Sequence, residues 1–393
     1  MHHGPPGTTD RLRGRHIVVM SRCSWTLFNF RRSLIGALRT AGASVLALGA
    51  AGDGFDARLR AAGIEFRHVP ISRRSLNPLA DALLFISLLT TFRRVRPALV
   101  HAFTIKPAVF GTLAAAAAGV PVRVVTITGL GHAFISGSTL LRRVVIALYR
   151  LALPRAQRVF FQNADDRALF ISLGLVAAER SELVAGSGVD LKHFAVATLP
   201  YQAGAAPSFL MIARLLKEKG VREYLQAAST VKAEHPEVTF RLLGGVDPRN
   251  PSALQPDEVA ALRASAAVEW VDEVADVRPY IAAADIVVLP SYREGLPRTL
   301  LEASAMGRAL IATDVEGCRE VVVDSRNGYL VPAGDAQALA AAMRRMIENP
   351  SAIAAMGANA RAQAEARFDE RQVLSRTLAA YEELLASRAA QVE

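Results

Sequence analysis

The chain predicts an α/β protein built from two doubly wound parallel sheets, and three observations carry that prediction. Short apolar runs alternate with helix-period segments along the whole length, the pattern of a parallel sheet covered by helices on both faces. The rhythm stops and restarts near residues 190–207, where TLPYQAGAAPS has Pro, Gly and Ala but no periodicity. At 393 residues and 51% apolar content, the chain is long enough for two to three domains, each with a full core.

The elements follow in order. HIVVMS (His16–Ser21) reads as a buried strand, FRRSLIGALRTAG as a helix ending at Gly42, and SVLALGA as the next strand. FDARLRAAG is a helix before the strand IEFRHVP, and a long helix runs from Leu79 to Val95. ALVHAF is a strand after Pro97, VFGTLAAAAAG a small-residue helix, and VRVVTITG and RVFFQN two strands separated by the helix Thr139–Leu153. The second half repeats the rhythm: strand SFLMIA, helix GVREYLQAASTVKAEHP, strand VTFRLLGG, helix VADVRPYIAAA, strand DIVVLPS. ALIATDV, GYLVP, the helix AQALAAAMRRMIENP and an amphipathic helix over Arg371–Ser387 complete it. The expected organisation is a disordered lead-in at 1–15, one domain over 16–190, a second over 191–370, and a terminal helix over 371–393 packing back toward the first domain. Open α/β sheets bind ligands beyond their strand C-termini, so two of them predict a site in a central cleft between domains.

Composition narrows the function. Two cysteines, Cys23 and Cys318, give neither a disulfide framework nor zinc spacing and suit a reducing compartment. The first sixteen residues, MHHGPPGTTDRLRGRH, lack the apolar middle of a signal peptide. No run of about twenty apolar residues predicts a membrane span. Residues 1–200 hold 25 Lys+Arg against 10 Asp+Glu, a net +15, and the remainder of the chain is net −5. A basic half implies an anionic partner: a phosphorylated substrate, an anionic membrane face or nucleic acid. Nucleic acid is disfavoured, because the bases are dispersed among apolar positions without stacking aromatics or a helix-turn-helix pattern. A basic overall composition that decorates surfaces with Arg is the plainer explanation. No GxGxxG follows the first strand and no GxxxxGK[ST] occurs, which argues against nicotinamide enzymes and phosphate-loop enzymes.

Two segments carry the chemistry. YREGLPRTLLEASAMG (Tyr292–Gly307) leaves an apolar strand and becomes a helix, with Glu294 before the helix start and Glu302 inside it. Gly295 offers a backbone conformation closed to other residues, Pro297 suits the first helical position and Gly307 the stop. Free N–H groups at that start form an anion site, with one acceptor-only carboxylate on each side of it. Taken alone, the two acids read as a cap and an ion pair with a nearby Arg. IARLLKEKGV (Ile212–Val221) follows the first strand of the second half, and Arg214 and Lys219 flank its turn. Two cations there suit a diphosphate; alone, they read equally well as a solvated charged turn. In the first half, Arg22, Asn29 and Arg31 follow the first strand, Lys106 sits in TIKP, and all are candidate acceptor-side residues. His101, inside a buried strand end, reads as structural.

RLLKEKG followed some eighty residues later by E-GLPRTLL-E resembles the retaining nucleotide-sugar glycosyltransferases of family 4, which have the two-domain GT-B fold. The resemblance extends from about His16 over almost the whole chain. It includes GSGVDLKHF (Gly186–Phe194), similar to the family's domain-crossing segment, and VDSRNGYLVPAGD. VPISRRSLNP, HAFTIKPAVFGTLAAAAAGVPV and TITGLGHAF resemble the capsular and O-antigen branch, whose members extend a saccharide on a lipid diphosphate. The resemblance implies that Arg214 and Lys219 bind the donor diphosphate, Glu302 the ribose hydroxyls, and Glu294 the transferred sugar. The backbone of Gly295, Leu296, Pro297, Arg298, Thr299 and Leu300 then receives the distal phosphate and sugar. The base is expected near the loop after VEWV (Val268–Val271). Relatives carry a His-Gly pair where this chain has Thr128-Gly129, and His132, four residues on, is the candidate replacement.

The resulting expectation is a retaining transfer of a sugar, of N-acetylhexosamine type from a UDP-sugar, to a polyprenyl-diphosphate-linked saccharide in bacterial surface polysaccharide synthesis. No acid pair of DxD type sits at a strand end, so no metal and no cofactor are expected; the nucleotide-sugar is a substrate. The enzyme is expected in the cytoplasm, peripheral on the inner face of the membrane. TLLRRVVIALYRLALPRAQR (Thr139–Arg158) interleaves Arg with large apolar residues and is a candidate for contact with an anionic bilayer; as an ordinary domain helix it would turn its apolar side into the core. The alternatives are a nucleotide-sugar 2-epimerase of similar fold, which needs its own acid/base pair at the sugar ring, and a non-catalytic sugar-nucleotide-binding partner.

Overall fold

A computed structural model describes residues 11–72, 77–130, 139–200, 206–248, 250 and 252–390. The chain divides into two compact units, residues 1–187 with 372–393, and residues 188–371. The division falls inside the Gly186–Phe194 segment.

The first unit runs β1 (His16–Cys23), α1 (Ser24–Thr40), β2 (Ser44–Ala50), α2 (Phe55–Ala61), β3 (Glu65–His68), α3 (Pro78–Val95) and β4 (Leu99–Phe103). A wide turn at Pro107–Gly111 leads into α4 (Thr112–Ala117), then β5 (Val122–Ile127), α5 (Thr139–Ala152), β6 (Arg158–Phe161), α6 (Ala164–Ser172) and β7 (Ser181–Leu183). The seven strands are all parallel in the order β3-β2-β1-β4-β5-β6-β7. The order reverses at β1/β4, where a doubly wound sheet opens its crevice. Met20, Ala102, Val125 and Val159 are in register across four strands and point to one face. α3, α4 and α5 cover that face. On the other face, Ile17, Val19, Val124 and Phe160 meet α1 and Tyr381 and Leu384 of the terminal helix. Leu12, within the stretch expected as a disordered lead-in, is buried in that same cluster, and the Arg15 carbonyl accepts from Ser44 N–H. Residues 11–15 are therefore built into the unit, because Leu12 has apolar surface to bury beside Ala43.

The second unit runs β8 (Ser208–Ile212), α7 (Val221–Glu234), β9 (Thr239–Leu243), α8 (Pro256–Arg263), β10 (Glu269–Val271), α9 (Arg278–Ala282) and β11 (Ile286–Leu289). It continues with α10 (Arg298–Ala305), β12 (Ala309–Thr313), α11 (Glu316–Arg319), β13 (Gly328–Val331), α12 (Ala336–Glu348) and α13 (Pro350–Gln363). The terminal helix α14 (Glu370–Ala389) starts in this unit and continues in the first. The six parallel strands lie in the order β10-β9-β8-β11-β12-β13, with the reversal at β8/β11. Phe209, Val288, Ile311 and Tyr224 anchor the core. Arg308 is fully buried and donates from Nη2 to the carbonyls of Ala197 and Thr198 (2.6 and 3.1 Å), which pins the segment leading into β8.

The helix over Phe30–Gly42 in the sequence reading begins six residues earlier, at Ser24. β7, α6, α8, α11 and α13 had no separate signal. β7 is a three-residue edge strand, too short to show alternation.

Candidate active site

The second unit gathers its charged residues at the β8/β11 reversal. β8 ends at Ile212, and Arg214 and Lys219 occupy the loop after it. β11 ends at Leu289, and Glu294 occupies the loop after that. The strands are neighbours, so the two loops leave the sheet side by side. Gly220 closes the first loop with φ +71°, and a Cβ on it would overlap the Pro290 carbonyl. Only glycine lets the loops approach this closely. Tyr292 N–H donates to the Glu218 carbonyl at 2.9 Å, a second tie between them. Tyr292 Oη donates to Glu223 at 2.7 Å; burial and that carboxylate push its pKa up to about 12.

This alignment makes Lys219 and Glu294 meet, although they are far apart in sequence: Nζ lies 2.5 Å from Oε1, with both side chains largely buried. Arg214 remains more than half exposed and reaches Asp247, beyond β9, at 3.3 Å. Behind the Glu294 loop, a Cβ on Gly317 would lie 2.6 Å from the Gly295 carbonyl oxygen and 2.7 Å from that of Glu294. The start of α11 thus braces the backbone that carries Glu294. Thr313 Oγ1 donates to the Ser291 carbonyl and holds the loop's root.

α10 starts at Arg298, with Pro297 as its N-cap, one residue later than the sequence reading placed it. Pro297 has extended backbone (ψ 109°), so it precedes the helix rather than opening it. Gly307 stops the helix with φ +74°. Gly295 is not among the glycines with positive φ; it is the missing Cβ of Gly317 that makes room for the Gly295 carbonyl. Glu302 lies on the second turn of α10 and pairs with Arg298 Nε at 2.7 Å. Burial pushes its carboxyl pKa up, against the opposing pull of Arg298. Leu300 is buried under the helix, and Thr299 Oγ1 donates to the Ile212 carbonyl at 3.4 Å, tying the helix start to the end of β8. Leu296 and Pro297 complete the connection from Gly295.

The first unit places Arg22, Lys106 and Thr128 at or just beyond the ends of adjacent strands β1, β4 and β5. Arg22 sits in a bulge where β1 changes register between Met20 and Cys23. Bulges re-aim side chains at sheet edges, and the Arg22 Nε is buried without a hydrogen-bond partner. Lys106 is bound by Asp81 at 2.5 Å, Asn29 donates to the Trp25 carbonyl at 2.9 Å, and Arg31 is buried with its guanidinium 3.8 Å from the Phe103 ring centroid. Asn29 thus meets its own helix, and Arg31 the end of β4. His132 lies outside the described residues. His101 is buried between Tyr381 Oη and Thr126 Oγ1, and burial, then the Arg31 charge, holds its pKa well below the usual histidine value. It is a neutral structural residue, as its place in a strand end implies.

Asp247, Gly317 and Tyr292 were missed as site residues. LLGGVD, a strand running into two glycines, is a signal that could have found Asp247. Gly244 has φ +153° and its missing Cβ makes room for the Ala213 carbonyl. Gly317 had no local signal.

Two Rossmann-like units, one with cations, a helix start and two carboxylates at its reversal point, suit a ligand that carries both phosphates and hydroxyls. Residues 29–185 match the model of a glycosyl transferase 4-like domain, and residues 206–349 that of glycosyl transferases group 1. The chain belongs to this glycosyltransferase family, and its fold class is GT-B. It is 28% identical over 382 residues to the N,N'-diacetylbacillosaminyl-diphospho-undecaprenol alpha-1,3-N-acetylgalactosaminyltransferase of Campylobacter jejuni, covering 94% of this chain and 99% of that protein. It is 24% identical over 296 residues to the UDP-Gal:alpha-D-GlcNAc-diphosphoundecaprenol alpha-1,3-galactosyltransferase of Escherichia coli, covering 72% and 74%. Among solved structures, HepE of Anabaena in complex with UDP and glucose shares the fold at TM-score 0.75 and 23% identity, over 94% of this chain and 100% of that one. Sucrose-phosphate synthase of Thermosynechococcus elongatus does so at TM-score 0.79 and 21% identity, over 95% and 100%.

Proposed function

We propose that this enzyme transfers a sugar from a nucleotide-sugar to a saccharide carried on a polyprenyl diphosphate, with retained anomeric configuration. The observation that carries the reading is the meeting of Lys219 and Glu294 at the β8/β11 reversal, ahead of the α10 start. The names of the Campylobacter and Escherichia relatives support the acceptor class, and the Campylobacter name supports an N-acetylhexosamine as the sugar.

The chemistry follows from charge. As the glycosidic bond breaks, negative charge grows on the departing diphosphate. Arg214, Lys219 and the N–H groups at the start of α10 are preorganised to meet it. Lys219 holds one oxygen of the Glu294 carboxylate, which leaves the other to accept a hydrogen bond from a sugar hydroxyl. Glu302 accepts the ribose hydroxyls. The acceptor hydroxyl attacks from the face the diphosphate leaves and gives its proton to a phosphate oxygen. Glu294 positions the sugar and forms no bond to it. These cations supply the charge that a divalent ion supplies elsewhere, so turnover is expected to withstand a chelator.

The test is a panel of UDP-, GDP- and ADP-sugars with a synthetic polyprenyl-diphosphate saccharide. Acceptor-dependent nucleotide release from a UDP-N-acetylhexosamine, with the anomer read by NMR, is the expected result. An inverted product, or a covalent sugar adduct trapped on Glu294, would overturn the mechanism. Epimerised donor without transfer would establish the 2-epimerase instead.

A further inference from the structure

The structure assigns a docking surface for an anionic lipid bilayer to the α3–α4–α5 layer of the first unit. The inference deepens the lipid-acceptor reading and rests on it for its purpose. Met20, Ala102, Val125 and Val159 share one face of the sheet. α3 packs on that face through Leu84, Leu88 and Phe92, and α5 through Val145, Tyr149 and Ala152. The sides that these helices turn away from the sheet therefore look the same way. Each carries an apolar stripe at helical spacing: Leu79, Leu83 and Ile86 on α3, and Leu140, Val144 and Leu151 on α5. Leu79 is 74% exposed and Leu140 71%. Of the eleven large apolar side chains exposed among the described residues, these two helices hold six. Such concentration marks a contact surface, whereas scattered exposed residues do not.

The charge identifies the partner. Arg93 and Arg94 on α3 and Arg142, Arg143 and Arg150 on α5 are exposed. The only acid on α3, α4 and α5 is Asp81, and it is paired with Lys106. A second copy meeting this face would set five arginines against five. An anionic bilayer takes apolar side chains and arginines together. No helix among the described residues is long and apolar enough to cross a membrane, so the contact is interfacial. The placement fits the substrate. In a right-handed parallel crossover the helix begins at the strand C-terminal edge. Leu79 and Leu140, in the first turns, thus flank the edge that carries Arg22, Lys106 and Thr128, where a lipid diphosphate would emerge from its bilayer.

The test is co-sedimentation of the full chain with phosphatidylcholine vesicles, with and without phosphatidylglycerol. Binding is expected only with the anionic lipid, weakening as salt rises. Leu83→Glu with Ile86→Glu should lower partitioning by roughly tenfold or more at unchanged Tm, whereas Leu183→Glu, on β7, should leave it unchanged. Equal binding by wild type and the α3 double variant, or no binding by wild type, overturns the proposal. So does a wild-type dimer that the double variant dissociates without any vesicle binding. Turnover separates this inference from the function. The double variant should match wild type on detergent-dispersed acceptor and fall behind on vesicle-embedded acceptor. A wild type that binds vesicles but turns over neither acceptor removes the proposed function and leaves the surface standing.

Discussion

The loops at the β8/β11 reversal and the strand ends at the β1/β4 reversal occupy equivalent places in two similar sheets, yet they hold their charges differently. In the second unit, three glycine approaches (Gly220 to Pro290, Gly244 to Ala213, Gly317 to Gly295) fix the backbone from below. Lys219 and Glu294 then meet in a largely buried ion pair. In the first unit, Arg31 lies over the Phe103 ring, Asn29 donates to the Trp25 carbonyl, Lys106 pairs with Asp81 as closely as Lys219 does with Glu294, and the Arg22 Nε is buried without a hydrogen-bond partner. A rigid backbone with charges facing each other is a preorganised electrostatic site. Ion-paired charges in either unit, Lys219 and Arg214 as much as Lys106, must exchange partners before binding a ligand, and that exchange subtracts from affinity; the difference lies in how closely the backbone beneath them is packed.

The largest effect tests the rigid side. Lys219→Ala should lower kcat by about a hundredfold to a thousandfold, the range for removing one preorganised donor. The double variant with Glu294→Ala should lose less than the two single losses combined, because the residues act as a pair. Full additivity in steady-state kinetics would show that they work apart.

Gly317→Ala comes next. Its new Cβ would lie 2.6 Å from the Gly295 carbonyl oxygen, so the Glu294 loop has to move. A displacement of about 1 Å at a catalytic group costs about a hundredfold, and kcat should fall by about that much while donor KM changes little. Unchanged turnover would mean that the brace is not needed.

Glu302→Gln should raise donor KM by roughly tenfold, the loss of a charge-assisted hydrogen bond. pH gives an independent reading. Burial raises the Glu302 pKa, so as pH falls the carboxylate proposed to accept ribose hydroxyls protonates from a pH above the ordinary glutamate range. Donor affinity should fall on that acid limb, and Glu302→Gln should flatten it. Stability runs the other way. A raised carboxyl pKa contributes stability that is present below the unfolded-state pKa and lost as pH rises through the folded one. The neutral glutamine should therefore cost no Tm at neutral pH.

The smallest effect lies in the first unit. Lys106→Ala removes one partner of a largely buried ion pair and should lower stability by about 1–3 kcal/mol, with acceptor KM little changed while Lys106 stays committed to Asp81. A much larger rise in acceptor KM would show that the acceptor draws Lys106 away from Asp81, and would narrow the contrast between the two sheets.

Much of the site was legible because its signals are local. Cations just after one strand, and a carboxylate, a proline and an apolar helix after another, are readable within ten residues of each strand end. The ion pair expected of Glu302 with a nearby arginine is present, with Arg298 one turn away. Glu294 was the harder case: its local expectation was a helix cap, and its observed partner is Lys219, brought in by strand pairing. Asp247 and Gly317 escaped because their significance lies in contacts with segments distant in sequence.

Alternating apolar runs and helical periods determined by themselves that two parallel sheets form and where their ligand loops lie, because each strand must bury both faces. The basic first half led to the expectation of an anionic partner. Only the tertiary structure decided which charges face outward and which are neutralised. It decided that α3, with as many large exposed apolar side chains as the helix the sequence singled out, shares that helix's face of the sheet. A helical stripe in sequence does not say which side meets the sheet; that depends on the register of four strands and on which face each crossover covers.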